Sequence, residues 1–132
     1  MIRIYTSNKQ DDSFYAIMGR YFASLDIAKE LERQLYNKAN SVWYIFADDY
    51  GSLAGFAALF DNGNHYFLDN LYVKPRFRGI GIAKGIVHKI VSDYTDKPIK
   101  CIANNPYALK IFGSLGFEEV VQNGKYKKLR KY

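Results

Sequence analysis

One short segment, residues 73–83, constrains the fold of this chain more than any other part of the sequence. Just before it, residues 66–73 are rich in aromatic and branched side chains and indicate a strand. Pro75 ends that strand, because proline has a fixed φ and no N–H to donate to a ladder. From residue 82 to residue 91 apolar side chains recur at steps of four, which indicates an amphipathic helix. The segment therefore predicts a strand, a glycine turn and a helix in immediate succession.

The turn in this segment is suited to binding phosphate. Gly79 and Gly81 allow the chain to turn tightly and leave room beside the backbone. The first N–H groups of the following helix have no intrahelical acceptor, and the helix dipole places partial positive charge there. A diphosphate is the kind of ligand that fits such a turn.

Two common glycine-rich motifs do not match this spacing. A Walker loop requires a hydroxyl residue after its lysine, but Gly85 and Ile86 follow Lys84. A dinucleotide fingerprint requires a third glycine where Lys84 stands and an acid about 20 residues later, and the strand predicted at 98–103 carries none. The spacing excludes a mononucleotide site of the Walker kind and gives little support to a Rossmann site.

The rest of the chain predicts an alternation of strands and helices. Asn-Gly at positions 123 and 124 is the preferred turn of a two-residue hairpin and indicates a final strand pair. Strands on both sides of a strand-helix-strand-helix core indicate an α/β fold, a mixed sheet with helices on its faces. The pattern predicts strands at about 1–6, 41–48, 53–60, 65–73 and 98–103, and helices at about 11–21, 24–38, 79–93 and 105–115.

Two motifs resemble those of the GNAT N-acetyltransferases. Residues 78–83 match the family's Gln/Arg-x-x-Gly-x-Gly/Ala signature, whose loop holds the pyrophosphate of acetyl-coenzyme A. Residues 105–117 resemble its Asn-x-x-Ala-x-x-x-Tyr-x-x-x-Gly-Phe segment, with Asn105 suited to an N-cap, Pro106 to the first helical position and Gly116 to the helix end. The resemblance covers about residues 40–122 and extends to earlier residues by element order.

The resemblance implies a mostly antiparallel central sheet flanked by helices, and transfer of an acetyl group from acetyl-coenzyme A to a primary amine within a ternary complex. It also implies that the pantetheine arm enters between the strands at 65–73 and 98–103, with backbone bonds to Leu71 and Val73. A buried strand has the same side-chain pattern without a cofactor, so these two positions depend on the resemblance alone. The implied cofactor contacts are Leu71, Tyr72, Val73, Arg78, Gly79, Ile80, Gly81, Ile82, Ala83, Lys84, Asn105 and Phe112.

The acid that protonates the departing thiolate does not carry over from the family. It is usually a tyrosine, at the place that Phe112 takes here, and a phenyl ring cannot donate a proton. Either the thiolate leaves without this acid, or the fold is an acyl-coenzyme A-binding module without catalysis. Tyr107, at the start of the same predicted helix, is an alternative acid.

Asp69 is the candidate general base. It lies inside a predicted strand, where carboxylates are uncommon, and two residues before Leu71, so a period of two places both on one face. A salt bridge to Arg76 or Arg78, or an exposed edge position, accounts for Asp69 equally well.

Composition sets the remaining expectations. A chain of 132 residues with 48% hydrophobic residues predicts a single domain, residues 1–132, with a real core. No apolar stretch approaches the roughly 20 residues of a membrane span, and no signal peptide is visible, so we expect a cytoplasmic protein without a membrane partner, as a monomer or a homodimer. Cys101 is expected to be an inert core residue, and with only two histidines no metal site is supported.

The net charge of +6 comes largely from two regions. Lys74, Arg76 and Arg78 surround the glycine loop and suit the phosphates of coenzyme A. The second region is the C-terminal segment, with Lys125, Lys127, Lys128, Arg130 and Lys131. It predicts a charged edge strand that discourages aggregation or, less favoured, a nucleic-acid-binding surface. Residues 10–40 show no acidic cluster, so the sequence does not identify the acceptor amine.

Overall fold

The computed structural model describes residues 2–32, 34–47, 52–103, 106–123 and 126–131. Within these ranges seven strands form one sheet in the order β1-β2-β3-β4-β5-β7-β6. The strands are β1 (Ile2–Tyr5), β2 (Val42–Ala47), β3 (Leu53–Asp61), β4 (Tyr66–Val73), β5 (Ile99–Ala103), β6 (Glu118–Asn123) and β7 (Tyr126–Lys131), and the α-helices are α1 (Asp12–Phe22), α2 (Leu25–Leu31), α3 (Ile82–Asp93) and α4 (Pro106–Ser114). Neighbouring strands are antiparallel except β4 and β5, which confirms the mixed, mostly antiparallel sheet flanked by helices.

The helices cover the two faces of the sheet unequally. On the α3/α4 face, the apolar stripe of α3 from Ile82 to Ile90 is buried against β2, β3, β4 and β5. On the α1/α2 face, Phe14 and Met18 of α1 pack onto Trp43 and Phe56. Burying a large apolar side chain stabilises the folded state by about 1.5–3 kcal/mol, so the two layers of helices hold the sheet between them. The residues of β5, β6 and β7 that point to the α1/α2 face are left outside the second cluster.

The second helix is shorter than the sequence predicts. It was predicted to reach residue 38, but α2 ends at Leu31, and Glu32 has a left-handed backbone with φ of 62°. Beyond it, Asn37 donates from Nδ2 to Gln10 Oε1 at 2.6 Å and accepts from Trp43 Nε1 at 2.8 Å. Asparagine competes for hydrogen bonds outside helices, and here its amide bonds to Gln10, just before α1, and to Trp43 in β2.

The basic C-terminal segment is not the edge strand that the sequence predicts. β7 lies between β5 and β6, and β6 forms the edge. The final hairpin is confirmed by the pairing of Asn123 with Tyr126, while Gly124 lies outside the described residues. In β7, Lys128 and Arg130 share a face with Ile102 and Lys100, their cross-strand partners, whereas Lys127 points to the other face. The positive charge is therefore divided between both faces of the sheet.

Among the described residues no helix has the length and hydropathy needed to span a membrane.

Candidate functional site

A cleft opens between β4 and β5, the parallel strands at the centre of the sheet. They pair only at Tyr66 with Ile99 and at Phe67 with Lys100. β4 then continues to Val73, and β5 to Ala103, without further pairing between them. The splay that the family resemblance implies is thus present, and it leaves β4 after Phe67 without strand pairing to β5.

A bulge in β4 lies beside this cleft. Phe56 of β3 pairs with Tyr72 and Ala58 pairs with Asp69, so Asn70 and Leu71 together face a single residue of β3. Asn70 has φ of 58°, its N–H donates to Asp69 Oδ1 at 2.8 Å, and its Nδ2 donates to the Tyr36 carbonyl at 3.3 Å. Asparagine tolerates a left-handed backbone better than most residues. Bulges of this kind re-aim side chains next to active sites.

The bulge corrects one prediction about Asp69. A regular strand would place Asp69 and Leu71 on one face, but the extra residue puts them on opposite faces. Leu71 packs against the core on the α3/α4 face, whereas Asp69 pairs with Ala58, which belongs to the α1/α2 core. Asp69 therefore shares a face with Phe67, its neighbour two residues before the bulge.

We expect Asn70→Val to reduce stability, and with it the transfer activity that the family resemblance implies, because a β-branched residue resists positive φ at a cost of about 1–2 kcal/mol. Flattening the bulge would also turn Asp69 away from its present face, and a loss of about tenfold in kcat/KM is expected. Asn70→Gly is the matched control, since glycine removes the same side chain but accepts the backbone. Equal activity losses in the two variants, measured with steady-state kinetics and thermal unfolding, would show that the side chain matters and the bulge does not.

The loop before α3 presents a row of backbone donors. Gly79 and Gly81 have φ of 82° and 88°, and a Cβ at either would have no neighbour within 4 Å. Gly81 is the N-cap of α3 without a side-chain cap, and its carbonyl accepts from Gly85. The N–H groups of Ile82, Ala83 and Lys84 belong to the first turn and have no intrahelical acceptor. Open space, free donors and the helix dipole together fit a pyrophosphate.

Arg78 is directed away from this row of donors. Its Nη2 lies 2.7 Å from the carboxylate of Glu30 in α2, and its Nε donates to the Val73 carbonyl at 2.8 Å. Its guanidinium also lies over the Tyr72 ring, at 5.5 Å from the centroid. Arg78 thus joins the loop to α2 and β4. Because the Val73 carbonyl already accepts from Arg78, a cofactor bond to Val73 would use its N–H or the second lone pair.

The predicted residues of α4 are placed differently from one another. Phe112 is 3% exposed and packs its ring at 5.2 Å from that of Phe117, so it lies in the core on the α3/α4 face. Tyr107 is 51% exposed in the first turn of α4, shortly after the end of β5. Asn105 lies outside the described residues. Contact of these residues with a cofactor stays a prediction.

Sequence reasoning missed a pocket on the α1/α2 face and a glycine that supports the cleft. The pocket has a volume of about 400 Å³ and lies where β4 and β5 begin to part. Its lining residues are Asn62, His65, Phe67, Lys100, Cys101, Ile102, Val120, Val121, Lys128, Leu129 and Arg130. They are far apart in sequence, and only the strand order brings them together. At Gly55, a Cβ would lie 2.8 Å from the Tyr72 carbonyl, so β3 approaches β4 closely beside the cleft.

Two titratable groups report on the environment of this pocket. Burial raises the pKa of the Cys101 thiol, and its 2% exposure confirms the core position expected from the sequence. Burial, followed by the cations of Lys100, Arg130 and Lys97, lowers the pKa of His65. The described residues contain no group of three His, Cys, Asp or Glu side chains that could hold a metal ion.

Several solved structures share this fold over their whole length. Escherichia coli ElaA and an acyl-CoA N-acyltransferase from Pseudomonas aeruginosa each superpose with a TM-score of 0.79 at 13% identity, covering 100% of this chain and 99% of theirs. A chimera of spermidine N-acetyltransferase SpeG from Vibrio cholerae and hSSAT gives a TM-score of 0.70 at 15% identity, covering 98% of this chain and 95% of the chimera. At these identities the likeness establishes the fold, which is that of the acyl-CoA N-acyltransferases.

The family follows from the sequence itself. The family model described as an acetyltransferase (GNAT) domain matches residues 7–131. The chain belongs to the GNAT acetyltransferase family, whose members transfer acyl groups from acyl-CoA to an acceptor, and the resemblance seen in the two motifs is confirmed. No curated protein sequence matches this chain significantly.

Proposed function

We propose that this protein is an N-acetyltransferase that moves an acetyl group from acetyl-coenzyme A to a primary amine by direct transfer in a ternary complex. The observation that carries the proposal is the splay of β4 and β5 beside the glycine N-cap of α3, in a chain of the GNAT family. The first-turn N–H groups of α3 would hold the pyrophosphate. The backbone of β4 from Leu71 to Val73, which is not paired with β5, would hold the pantetheine arm as an added strand.

In this proposal the chain contributes mainly positioning and one proton transfer. The thioester of the bound acyl-CoA is already activated for attack by an amine. Holding the amine next to it supplies much of the rate, and Asp69 would accept the ammonium proton, directly or through a water molecule. The bulge serves this role, because it turns Asp69 towards the α1/α2 face, where the pocket opens.

The departing thiolate receives no proton from Phe112, whose ring is buried against Phe117. Coenzyme A thiol is acidic enough to leave largely as the thiolate. A missing acid would therefore slow the reaction without stopping it.

Tyr107 is half exposed, and we expect Tyr107→Phe to keep kcat within about twofold, as for most surface substitutions. Steady-state kinetics with a saturating amine checks this. A loss of about a hundredfold would instead identify Tyr107 as the acid.

Calorimetric titration with acetyl-coenzyme A and with coenzyme A tests the proposed binding site. We expect one binding site per chain for each ligand, and release of thiol when an acceptor amine is added. Cys101 is buried, so native protein should add little background to a thiol assay. Binding without thiol release from any amine would favour the non-catalytic acyl-coenzyme A module, which the buried Phe112 also suits. Salt-dependent nucleic-acid binding without coenzyme A binding would overturn both.

A further inference from the structure

The pocket on the α1/α2 face carries a strong positive charge for a site expected to receive an amine. Lys100, Lys128 and Arg130 line it together with His65. None of the lining residues is an aspartate or a glutamate. Glu118 of β6 stands directly opposite Arg130 on the same face of the β6/β7 pair, and it does not line the pocket.

Two of these cations face each other directly. Lys100 of β5 pairs with Arg130 of β7, and both side chains are half-buried on the same face. Like charges directly opposite each other in an antiparallel pair are unfavourable. The same cations, after burial, lower the pKa of His65. Such a departure from the usual strand pairing is expected where a site has a function.

The rest of the pocket is apolar. Its apolar lining includes Phe67, Ile102, Val120 and Val121. The last three of these side chains are 47%, 56% and 47% exposed. Beyond the pocket wall, Lys38 Nζ lies 5.5 Å from the Phe67 ring centroid and adds a further cation on this face. Exposed apolar side chains beside a cluster of cations suit a small molecule that has both an apolar part and a negative charge.

The pocket also adjoins the point where β4 and β5 part. Phe67 and Lys100 are the last paired residues of β4 and β5, and Ile102 belongs to the stretch of β5 that has parted from β4. From Val73 at the glycine loop to Phe67 the strand measures about 20 Å at 3.3 Å per residue. Asp69, the proposed base, shares a face with Phe67. An amine in this pocket would approach the inner end of the cleft from the side of Asp69.

We propose that the acceptor is a small amine that also carries a negatively charged group, such as an apolar amino acid, and that Lys100, Lys128 and Arg130 bind that group. This inference rests on the proposed acetyltransferase function and names its substrate class. It predicts that a polyamine, the acceptor named for the spermidine N-acetyltransferase relative, is a poor substrate here, because its cations would meet those of the pocket.

Matched amines test the proposal. Phenylalanine and phenethylamine differ only by a carboxylate, and phosphoethanolamine and ethanolamine only by a phosphate, so the two pairs separate the sources of negative charge. Rates of thiol release from acetyl-coenzyme A should be compared over a range of pH, since the amines differ in pKa. In one pair, we expect kcat/KM to be at least about tenfold higher for the amine with the negative group than for its partner. We also expect a lower kcat/KM for spermidine than for that anionic amine.

Lys128 and Lys127 provide a matched pair of variants. They are neighbours in β7, but Lys128 points into the pocket and Lys127 forms a surface ion pair with Glu119 on the other face. Lys128→Gln should lower kcat/KM for the anionic amine about tenfold and leave its neutral partner unchanged. Lys127→Gln should change neither, and Lys128→Glu should reverse the preference. Both positions lie on a well-paired strand, and thermal unfolding checks that the three variants fold.

The outcomes separate the two proposals. Transfer to phenethylamine or spermidine with no preference for an anion would leave the acetyltransferase function intact and overturn the substrate class. If acetyl-coenzyme A binds but no thiol is released with any amine, the anion site is tested by calorimetric titration of phenylalanine and phosphoethanolamine into the coenzyme A complex. Binding that Lys128→Glu abolishes supports the anion site, and absence of binding overturns it. Absence of acetyl-coenzyme A binding overturns both proposals.

Discussion

Replacing Gly81 with glutamate is expected to weaken the binding of acetyl-coenzyme A about a hundredfold or more. Gly81 has φ of 88°, where a residue with a Cβ is disfavoured by roughly 1–2 kcal/mol. The new carboxylate would also lie at the start of α3, where it would bind the same N–H groups that the phosphates need and repel their charge. Since each 1.4 kcal/mol is a factor of ten in affinity, the backbone cost and the charge together account for the expected loss. Calorimetric titration measures it.

Gly63 offers a matched control for this substitution. It too has a positive φ, of 97°, and open space where a Cβ would point, but it lies in the turn between β3 and β4, at the opposite end of β4 from the glycine loop. Gly63→Glu therefore has a similar backbone cost and the same charge change without touching the proposed phosphate site. Equal affinities of the two variants for acetyl-coenzyme A would show that the loop before α3 does not hold the cofactor.

Replacing Asp69 with asparagine is expected to lower kcat/KM about a hundredfold, the usual contribution of a general base. A base must be deprotonated to act, so wild-type kcat/KM should fall towards acidic pH. The variant should lose this acidic limb and keep the dependence that comes from the amine itself. Asparagine retains an Oδ1 that can accept from the Asn70 N–H, so the contact that supports the bulge is preserved.

Asp12→Asn serves as the control for this variant, because Asp12 is an exposed carboxylate in the first turn of α1, away from the cleft. An Asp69→Asn enzyme with the wild-type rate and the wild-type pH profile would show that Asp69 supports the bulge and is not the base.

The elements that the sequence predicted well are those whose signals are local. Pro75, the two glycines and the four-residue steps of α3 define one continuous segment, and the structure places that helix at Ile82–Asp93, within the predicted 79–93. The final strand pair was predicted equally well, from Asn123 and the glycine that follows it in the sequence. In both places the backbone conformation follows from residues that are neighbours in sequence.

The parts that the sequence did not predict depend on contacts between distant residues. Strand alternation alone places Asp69 and Leu71 on the same face of the sheet. Only the pairing of β4 with β3 reveals the bulge that puts them on opposite faces. The early end of α2 is followed by a hydrogen-bond network through Asn37 that reaches Tyr15 of α1 and Trp43 of β2. Arg78, one of the predicted loop cations, pairs with Glu30, 48 positions away in sequence.

The basic C-terminal segment shows the same limit for function. A run of Lys and Arg predicts a charged edge or a phosphate-binding tail, but strand order decides where the charges point. Insertion of β7 between β5 and β6 sends Lys128 and Arg130 into the pocket and Lys127 to the opposite face. The positive charge of the C-terminal segment thereby leads to a specific expectation, that the acceptor amine also carries a negative group.

The most direct test of the proposed function is thiol release from acetyl-coenzyme A in the presence of an amine panel, with the amine product identified by mass spectrometry. The proposal predicts thiol release that depends on both the protein and an amine, matched one for one by an amine that has gained an acetyl group. Tight binding of acetyl-coenzyme A without any acetylated product across anionic, neutral and cationic amines would contradict it, and would make this member of the family a binding module.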